Sequence, residues 1–355
     1  MIAILGMLLT LTALVLLILA AGLLYQGIGG YLDRRRLLAP GRVVDTGDGR
    51  RLYLVEKGCG GPSVVFESGF GATSLNWMEV QEAVSEYLHT VAYDRCGLGW
   101  SSEPVSERTP TEIAHELRGL LQAAGVPPPY VLVGHSFGGL VMQRYALDYS
   151  GEVAGVVLVD PMRTQEWPPI NAGRSAVVER AQRLSGHGAT LARFGMARLA
   201  ARSHLCRSAK FSGFLVRLAG TQGEYLAARL NTEIGKMPPN VRPSIAAHWS
   251  APRFYRGFIA HLRSVPDTVR EMHHAEPIRG VPVVVLTPGS ARPLSDQDMR
   301  KFGPLSRQVI AERSQHWVHL DEPHLVIRTI LEMAFAASAN EEAAGSAVAV
   351  PIGAD

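Results

Sequence analysis

The chain has 355 residues, enough for roughly two folding units. Charged residues are 19% and the apolar class is 47%, which excludes a disordered chain, a coiled coil and a collagen-like fibre. Lys and Arg number 35 against 32 Asp and Glu, and the resulting +3 gives no sign of a nucleic-acid partner. Cys59, Cys96 and Cys206 lie too far apart for a disulfide framework or a zinc site, and the odd count fits a reducing compartment.

No charged side chain precedes Asp33. Residues 1–24 are apolar or small apart from Thr10 and Thr12. As a helix they would be on the order of 36 Å long, enough to cross a hydrocarbon core of about 30 Å. A secretory signal would carry a basic n-region and a shorter apolar stretch. The expectation is therefore a retained transmembrane anchor over 1–24, with a cleaved signal as the alternative. Arg34, Arg35 and Arg36 follow the span, which is expected to hold its C-terminal side, and the rest of the chain, in the cytoplasm. Tyr25 and Tyr31 suit the interface. Residues 25–49 read as a juxtamembrane linker, broken by Pro40, Gly41, Gly47 and Gly49.

Beyond the linker, residues 51–57 alternate like an antiparallel strand, and 63–67 and 90–93 read as short buried strands. Residues 111–124 have helical spacing, with Ile113, Leu117, Leu120 and Leu121 on one face and a stop at Gly125 and Pro127. A strand at 130–133, a helix at 138–149 and a strand at 153–159 follow. Continuous apolar strands alternating with helices mean a parallel sheet covered on both faces. From 161 to about 277 the pattern is helical. Strands resume at 281–286 and 308–311, and a helix runs from Pro323 to about Ala336. The organisation expected is a core in two parts, 50–160 and 277–337, split by a helical cap over 161–276, with a flexible tail at 338–355. No internal repeat is present. His273-His274 has no Cys or carboxylate at metal spacing, so neither a metal nor another cofactor is expected.

The most informative segment is Tyr130-Val-Leu-Val-Gly134-His135-Ser136-Phe137-Gly138-Gly139. A β-branched strand runs into Gly-x-Ser-x-Gly and a helix follows. That places Ser136 on a sharp turn above the sheet, with the Phe137 N–H aimed at the same point. Two further segments stand out: Glu67-Ser-Gly-Phe70-Gly71, and Tyr93-Asp94-Arg95-Cys-Gly97-Leu-Gly99-Trp-Ser101. Together these residues resemble the α/β-hydrolase fold superfamily, in its cap-domain branch of esterases, proline-iminopeptidase-like and dehalogenase-like enzymes. The resemblance covers about residues 43–336. It implies an α/β fold with a mostly parallel twisted sheet flanked by helices, a helical cap insertion and, here, an N-terminal transmembrane helix.

The resemblance also implies a Ser-His-Asp triad. Ser136 would be the nucleophile, with an oxyanion hole from the N–H groups of Phe137 and Phe70. Ser68-Gly69 replaces the His-Gly pair that usually precedes the second donor; a backbone amide does the work, so the change is harmless. The base would be His316 in Arg313-Ser-Gln-His316-Trp-Val-His319-Leu-Asp321-Glu-Pro323, with His319 as runner-up, Asp321 as a helix N-cap and Pro323 in the first turn. His135 would support the elbow. Two carboxylates qualify as the acid. The loop after 281–286 lacks one where many relatives carry it; Asp160, closing the 153–159 strand 24 residues after Ser136, is preferred, and Asp296 is the alternative. Asp94 and Arg95 read as braces at the sheet's rim. Serine at 136 argues against dehalogenase or epoxide-hydrolase chemistry, which in this fold needs a carboxylate nucleophile.

The insertion is expected to form a lid above Ser136. Residues 171–220 carry nine basic side chains against Glu179, interleaved with apolar ones, a composition suited to an anionic membrane surface. The function expected is a membrane-anchored serine hydrolase of carboxylic esters, lipid-like ones included. Its partners would be a small ester or lipid-like substrate and membrane lipids, with no nucleic acid and no obligate protein partner. The alternatives are an amidase or aminopeptidase of the proline-iminopeptidase type, and a catalytically silent receptor or scaffold.

Overall fold

Eight strands form one sheet in the order β1-β2-β4-β3-β5-β6-β7-β8. They are β1 Arg42–Asp45, β2 Arg51–Lys57, β3 Ser63–Glu67, β4 Thr90–Asp94, β5 Tyr130–His135, β6 Val153–Val159, β7 Val283–Pro288 and β8 Ser306–Ala311. The β1–β2 and β2–β4 pairs are antiparallel and all others parallel. The computed structural model describes residues 2–37, 39–164, 172–205 and 235–348. They fall into two compact units: residues 1–40 with 176–262, and 41–175 with 263–355.

In the sheet unit the period of two decides which side chain serves which face. Val65, Leu132, Val156, Leu158, Val283 and Val285 pack with Leu117 and Leu120 of α3 (Pro110–Ala124) and Leu140 of α4 (Phe137–Asp148). Their neighbours Val64, Phe66, Val131, Val133, Val157, Val159 and Leu286 pack with Val80 and Val84 of α2 (Met78–Ser85), and with Val326 and Ile330 of the C-terminal helix. Full burial of each such side chain contributes about 1.5–3 kcal/mol. Helix α3 starts where Thr109 accepts a hydrogen bond from the Glu112 N–H, and stops at Gly125, whose φ of 76° suits a residue without a Cβ.

The other unit holds the N-terminal helix, α1 Ile2–Arg36, and described parts of the insertion. These include α5 Ala172–Arg193, α6 Met196–Leu205, α7 Arg242–Ser250 and α8 Pro252–Arg263. In the sheet unit the chain goes on through α9 Val265–His273, α10 Asp296–Phe302, α11 Val318–Asp321 and α12 Pro323–Val348.

Several boundaries differ from the sequence reading. Helix α1 does not end near residue 24 but runs through the expected linker to Arg36. Strand β1 also lies in that linker, where pairing with β2 outweighs the flanking breakers. Strand β7 is shifted two residues, to Val283–Pro288. Helix α12 continues through most of the expected tail, to Val348; its run of Ala residues has high helix propensity. In the insertion, Arg207, Lys210, Phe211, Phe214, Leu215, Arg217 and Leu218 lie outside the described residues.

Candidate active site

The nucleophile candidate stands between β5 and α4 with φ 52° and ψ −116°, a region that costs a non-glycine residue about 1–3 kcal/mol. Two glycines permit this turn. A Cβ on Gly134 would stand 2.5 Å from the Gly138 carbonyl oxygen, and one on Gly138 would stand 2.5 Å from the Glu67 carbonyl oxygen. The Ser136 N–H donates to the Val159 carbonyl at 3.0 Å, and the Ser136 carbonyl accepts from the Met162 N–H at 3.0 Å. Thus the elbow is tied to the end of β6, the strand that delivers Asp160.

Asp160 follows β6 at φ 41°, with its own N–H donating to the Leu286 carbonyl at 2.8 Å. Its Oδ2 is 2.7 Å from His316 Nδ1. His316 comes from the turn after β8, and its carbonyl lies 2.9 Å from His135 Nε2. The His135 and His316 ring centroids are 4.7 Å apart. The elbow histidine therefore braces the loop that carries His316. Asp296 instead sits exposed at the start of α10. His319 is buried, with its ring 4.5 Å from those of Trp77 and His135. Asp321 ends the short α11 rather than capping the helix at Pro323; its Oδ2 accepts from the Gln315 N–H at 3.0 Å.

The loop after β3 abuts the elbow. A Cβ built on Gly69 would stand 2.9 Å from His135 Nδ1 and 3.5 Å from the Ser136 Cβ, so only glycine lets the loop approach this closely. Phe70 and Phe137 make an edge-on ring pair at 5.3 Å. Arg95 clamps the loop from below, donating from Nη1 to the Ser68 carbonyl at 3.1 Å and from Nη2 to the Gly69 carbonyl at 2.5 Å. Asp94 does brace the rim, accepting from the Ser74 N–H at 2.8 Å and the Trp100 N–H at 2.9 Å.

Sequence reasoning missed the buried group behind that clamp. Glu67 pairs with Arg95 at 3.3 Å and accepts from the Tyr93 hydroxyl. Burial pushes its carboxyl up to about 7, against the pull of the Arg95 guanidinium and the Tyr93 hydroxyl. The only sequence signal was a carboxylate ending an apolar strand. A carboxyl pKa raised on folding contributes stability below the unfolded value near 4.5, lost as pH rises through about 7. Replacing Glu67 by Gln should remove that slope. The melting-temperature gap, variant minus wild type, should widen between pH 4.5 and 7 and then level; a constant gap would refute the assignment.

This arrangement is a strained elbow, a strand-end carboxylate on a histidine and a clamped glycine loop at the C-terminal edge of a parallel sheet. It defines the nucleophile-elbow class of α/β proteins. A family model for the alpha/beta hydrolase fold matches residues 62–186. YqjL of Bacillus subtilis, an uncharacterized protein, is 36% identical over 105 residues, 30% of this chain and 42% of YqjL. Among solved structures, the Cif epoxide hydrolase from Acinetobacter nosocomialis matches with a TM-score of 0.63 at 17% identity, over 87% of this chain and 95% of that one. A thermophilic esterase from Thermogutta terrifontis matches with a TM-score of 0.52 at 20% identity, over 82% and 97%. At these identities the two structures speak for the fold alone. The chain spans less than half the length of the curated relatives it matches first. The chain has the alpha/beta hydrolase fold.

Proposed function

We propose that this chain is a membrane-anchored serine hydrolase acting on carboxylic esters, lipid-like ones included. The observation that carries the proposal is the 2.7 Å contact between His316 Nδ1 and Asp160 Oδ2, beside a serine on a strained elbow. Asp160 fixes the imidazole tautomer, leaving Nε2 to take the Ser136 proton. The serine oxygen attacks the ester carbonyl, and the N–H groups of Phe70 and Phe137 hold the oxyanion. His316 then protonates the departing alcohol. Water, activated by the same imidazole, hydrolyses the acyl-enzyme and regenerates Ser136. Epoxide opening in this fold proceeds through a carboxylate nucleophile, and residue 136 is serine, so the Cif-like topology does not carry that activity over.

Retention of the N-terminal helix has its own support. Helix α1 is long and apolar enough to cross a membrane. Its C-terminal part is also built into the insertion: Gln26 and Asp33 both bond Arg198, which is only 3% exposed. Cleavage of a signal would strip a buried arginine of both partners.

A fluorophosphonate probe on the full chain in mild detergent tests the reaction class. Wild type should label, Ser136→Ala should not, and simple esters of increasing chain length should be turned over by the labelled form alone. Labelling with amide but no ester turnover would move the assignment to the amidase alternative. A folded wild type that does not label would make the chain a silent module.

A further inference from the structure

The N-terminal helix meets the insertion along a single face. Gly22, Tyr25, Gln26, Gly29 and Asp33 recur at helical spacing on that face, and the intervening Leu23, Leu24, Gly27 and Ile28 are exposed. A Cβ on Gly22 would stand 2.5 Å from the Phe194 carbonyl oxygen, so the turn between α5 and α6 lies directly on the helix backbone there. One turn on, a Cβ at Gly195 would stand 2.7 Å from the Tyr25 ring. Two turns on, Arg198 crosses Gly29 to reach Gln26 at 3.0 Å and pairs with Asp33. Gln26 in turn donates to the Ser250 carbonyl at 3.2 Å. The sequence reading counted Arg198 among the bases suited to the lipid surface; it faces the helix instead, buried against Gln26 and Asp33.

This packing sets a height. About 20 residues before Gly22 fill a hydrocarbon core of about 30 Å, so the α5–α6 corner is held where hydrocarbon gives way to headgroups. What the corner leaves exposed suits that level: Leu191 at 52%, Leu199 at 38%, Arg193, and Arg202, whose guanidinium lies over the Tyr25 ring. Arg34, Arg35 and Arg36 lie exposed on the same side of the span. Apolar side chains that dip among headgroups, flanked by cations, match a leaflet rich in anionic lipid.

We propose that residues 191–202 form a second membrane contact, seated on an anionic leaflet by their packing against α1. The insertion is then a surface element of the bilayer and not a body swinging on a tether. The proposal rests on the retained-anchor reading and goes beyond it, since an anchor alone would leave the corner in water.

The full chain, with Cys59 and Cys206 replaced by Ser, is reconstituted into phosphatidylcholine vesicles with or without 30% phosphatidylglycerol and with a lipid-borne quencher. An environment-sensitive fluorophore is placed in turn through Leu19→Cys, Leu191→Cys and Leu199→Cys. Expected is strong quenching at 19 in both vesicles, and quenching at 191 and 199 at least twofold greater with the anionic lipid. Adding Gly22→Leu, which drives a side chain into the Phe194 carbonyl, should cut quenching at 191 by more than half and spare position 19. Quenching at 19 with none at 191 and 199 would overturn this proposal and leave the anchor standing. Equal quenching in both vesicles would overturn the anionic commitment, and an unchanged Gly22→Leu result would overturn the packing argument. Absence of quenching at 19 would remove the anchor and this proposal together.

Discussion

Asp160→Asn should lower kcat on a simple ester by about 10⁴-fold with the fold intact. The carboxylate does two things that an amide cannot. It accepts the Nδ1 proton, fixing the tautomer that presents Nε2 to the serine, and it balances the imidazolium that forms in the transition state. An asparagine can turn its N–H₂ towards Nδ1 and select the wrong tautomer. The backbone gives no competing explanation for a loss. Asp160 sits at φ 41°, and Asn is among the residues that tolerate positive φ best, so the elbow and the β6 terminus should keep their shape. The parallel change Asp296→Asn, at an exposed helix start, should stay within about twofold. Ester kinetics and fluorophosphonate labelling rates, run side by side on both variants, check the pair. Loss on Asp296→Asn with retention on Asp160→Asn would transfer the acid role and break the proposed triad.

The elbow was legible because its cause is local. Glycines two positions either side of Ser136, an apolar strand before it and a helix after it all lie within ten residues. Asp160 was legible for a related reason: a carboxylate closing Val156-Val-Leu-Val is expensive without a partner, whichever fold surrounds it. What escaped is non-local. The Arg198–Asp33 pair spans 165 positions, and nothing in the spacing of the cap's basic residues marks one of them for burial. Residues 25–36 read as linker because they lie beyond the apolar run that ends at Leu24. In the structure Gly29 is where another side chain crosses, so its missing Cβ serves packing and not flexibility. Glu67 was quoted as part of a loop motif, yet its partners Tyr93 and Arg95 come from the end of β4 and the residue after it. Only the parallel β3–β4 pairing brings them together. Periodicity reports which face a residue occupies, and it is silent on which charge waits there.

The largest stability effect should come from another pair of that kind. Arg108 and Glu116 are both fully buried and bonded at two points, Nη1 to Oε2 at 2.8 Å and Nη2 to Oε1 at 2.9 Å. Glu116 also accepts from the Cys96 N–H at 3.1 Å, and the Arg108 N–H donates to Ser264 Oγ at 2.8 Å. The pair thus joins the start of α3 to the loop after β4. Arg108→Met keeps most of the side-chain volume but leaves the buried Glu116 carboxylate with only the more distant Arg50 guanidinium, 3.8 Å away, as countercharge, which costs about 3 kcal/mol. That corresponds to a melting temperature lower by on the order of 10 °C. Salt should not rescue it, because a buried charge is barely screened. Adding Glu116→Leu removes the stranded charge and should recover much of the loss. The Cys96 N–H is then left without its acceptor, a residual of about 1–3 kcal/mol. The double variant should therefore be more stable than Arg108→Met alone, a sign that no surface ion pair would give. Denaturant titration of the full chain in detergent, followed by far-ultraviolet circular dichroism, measures all three proteins. Additive losses would mean that the two side chains do not share one buried interaction.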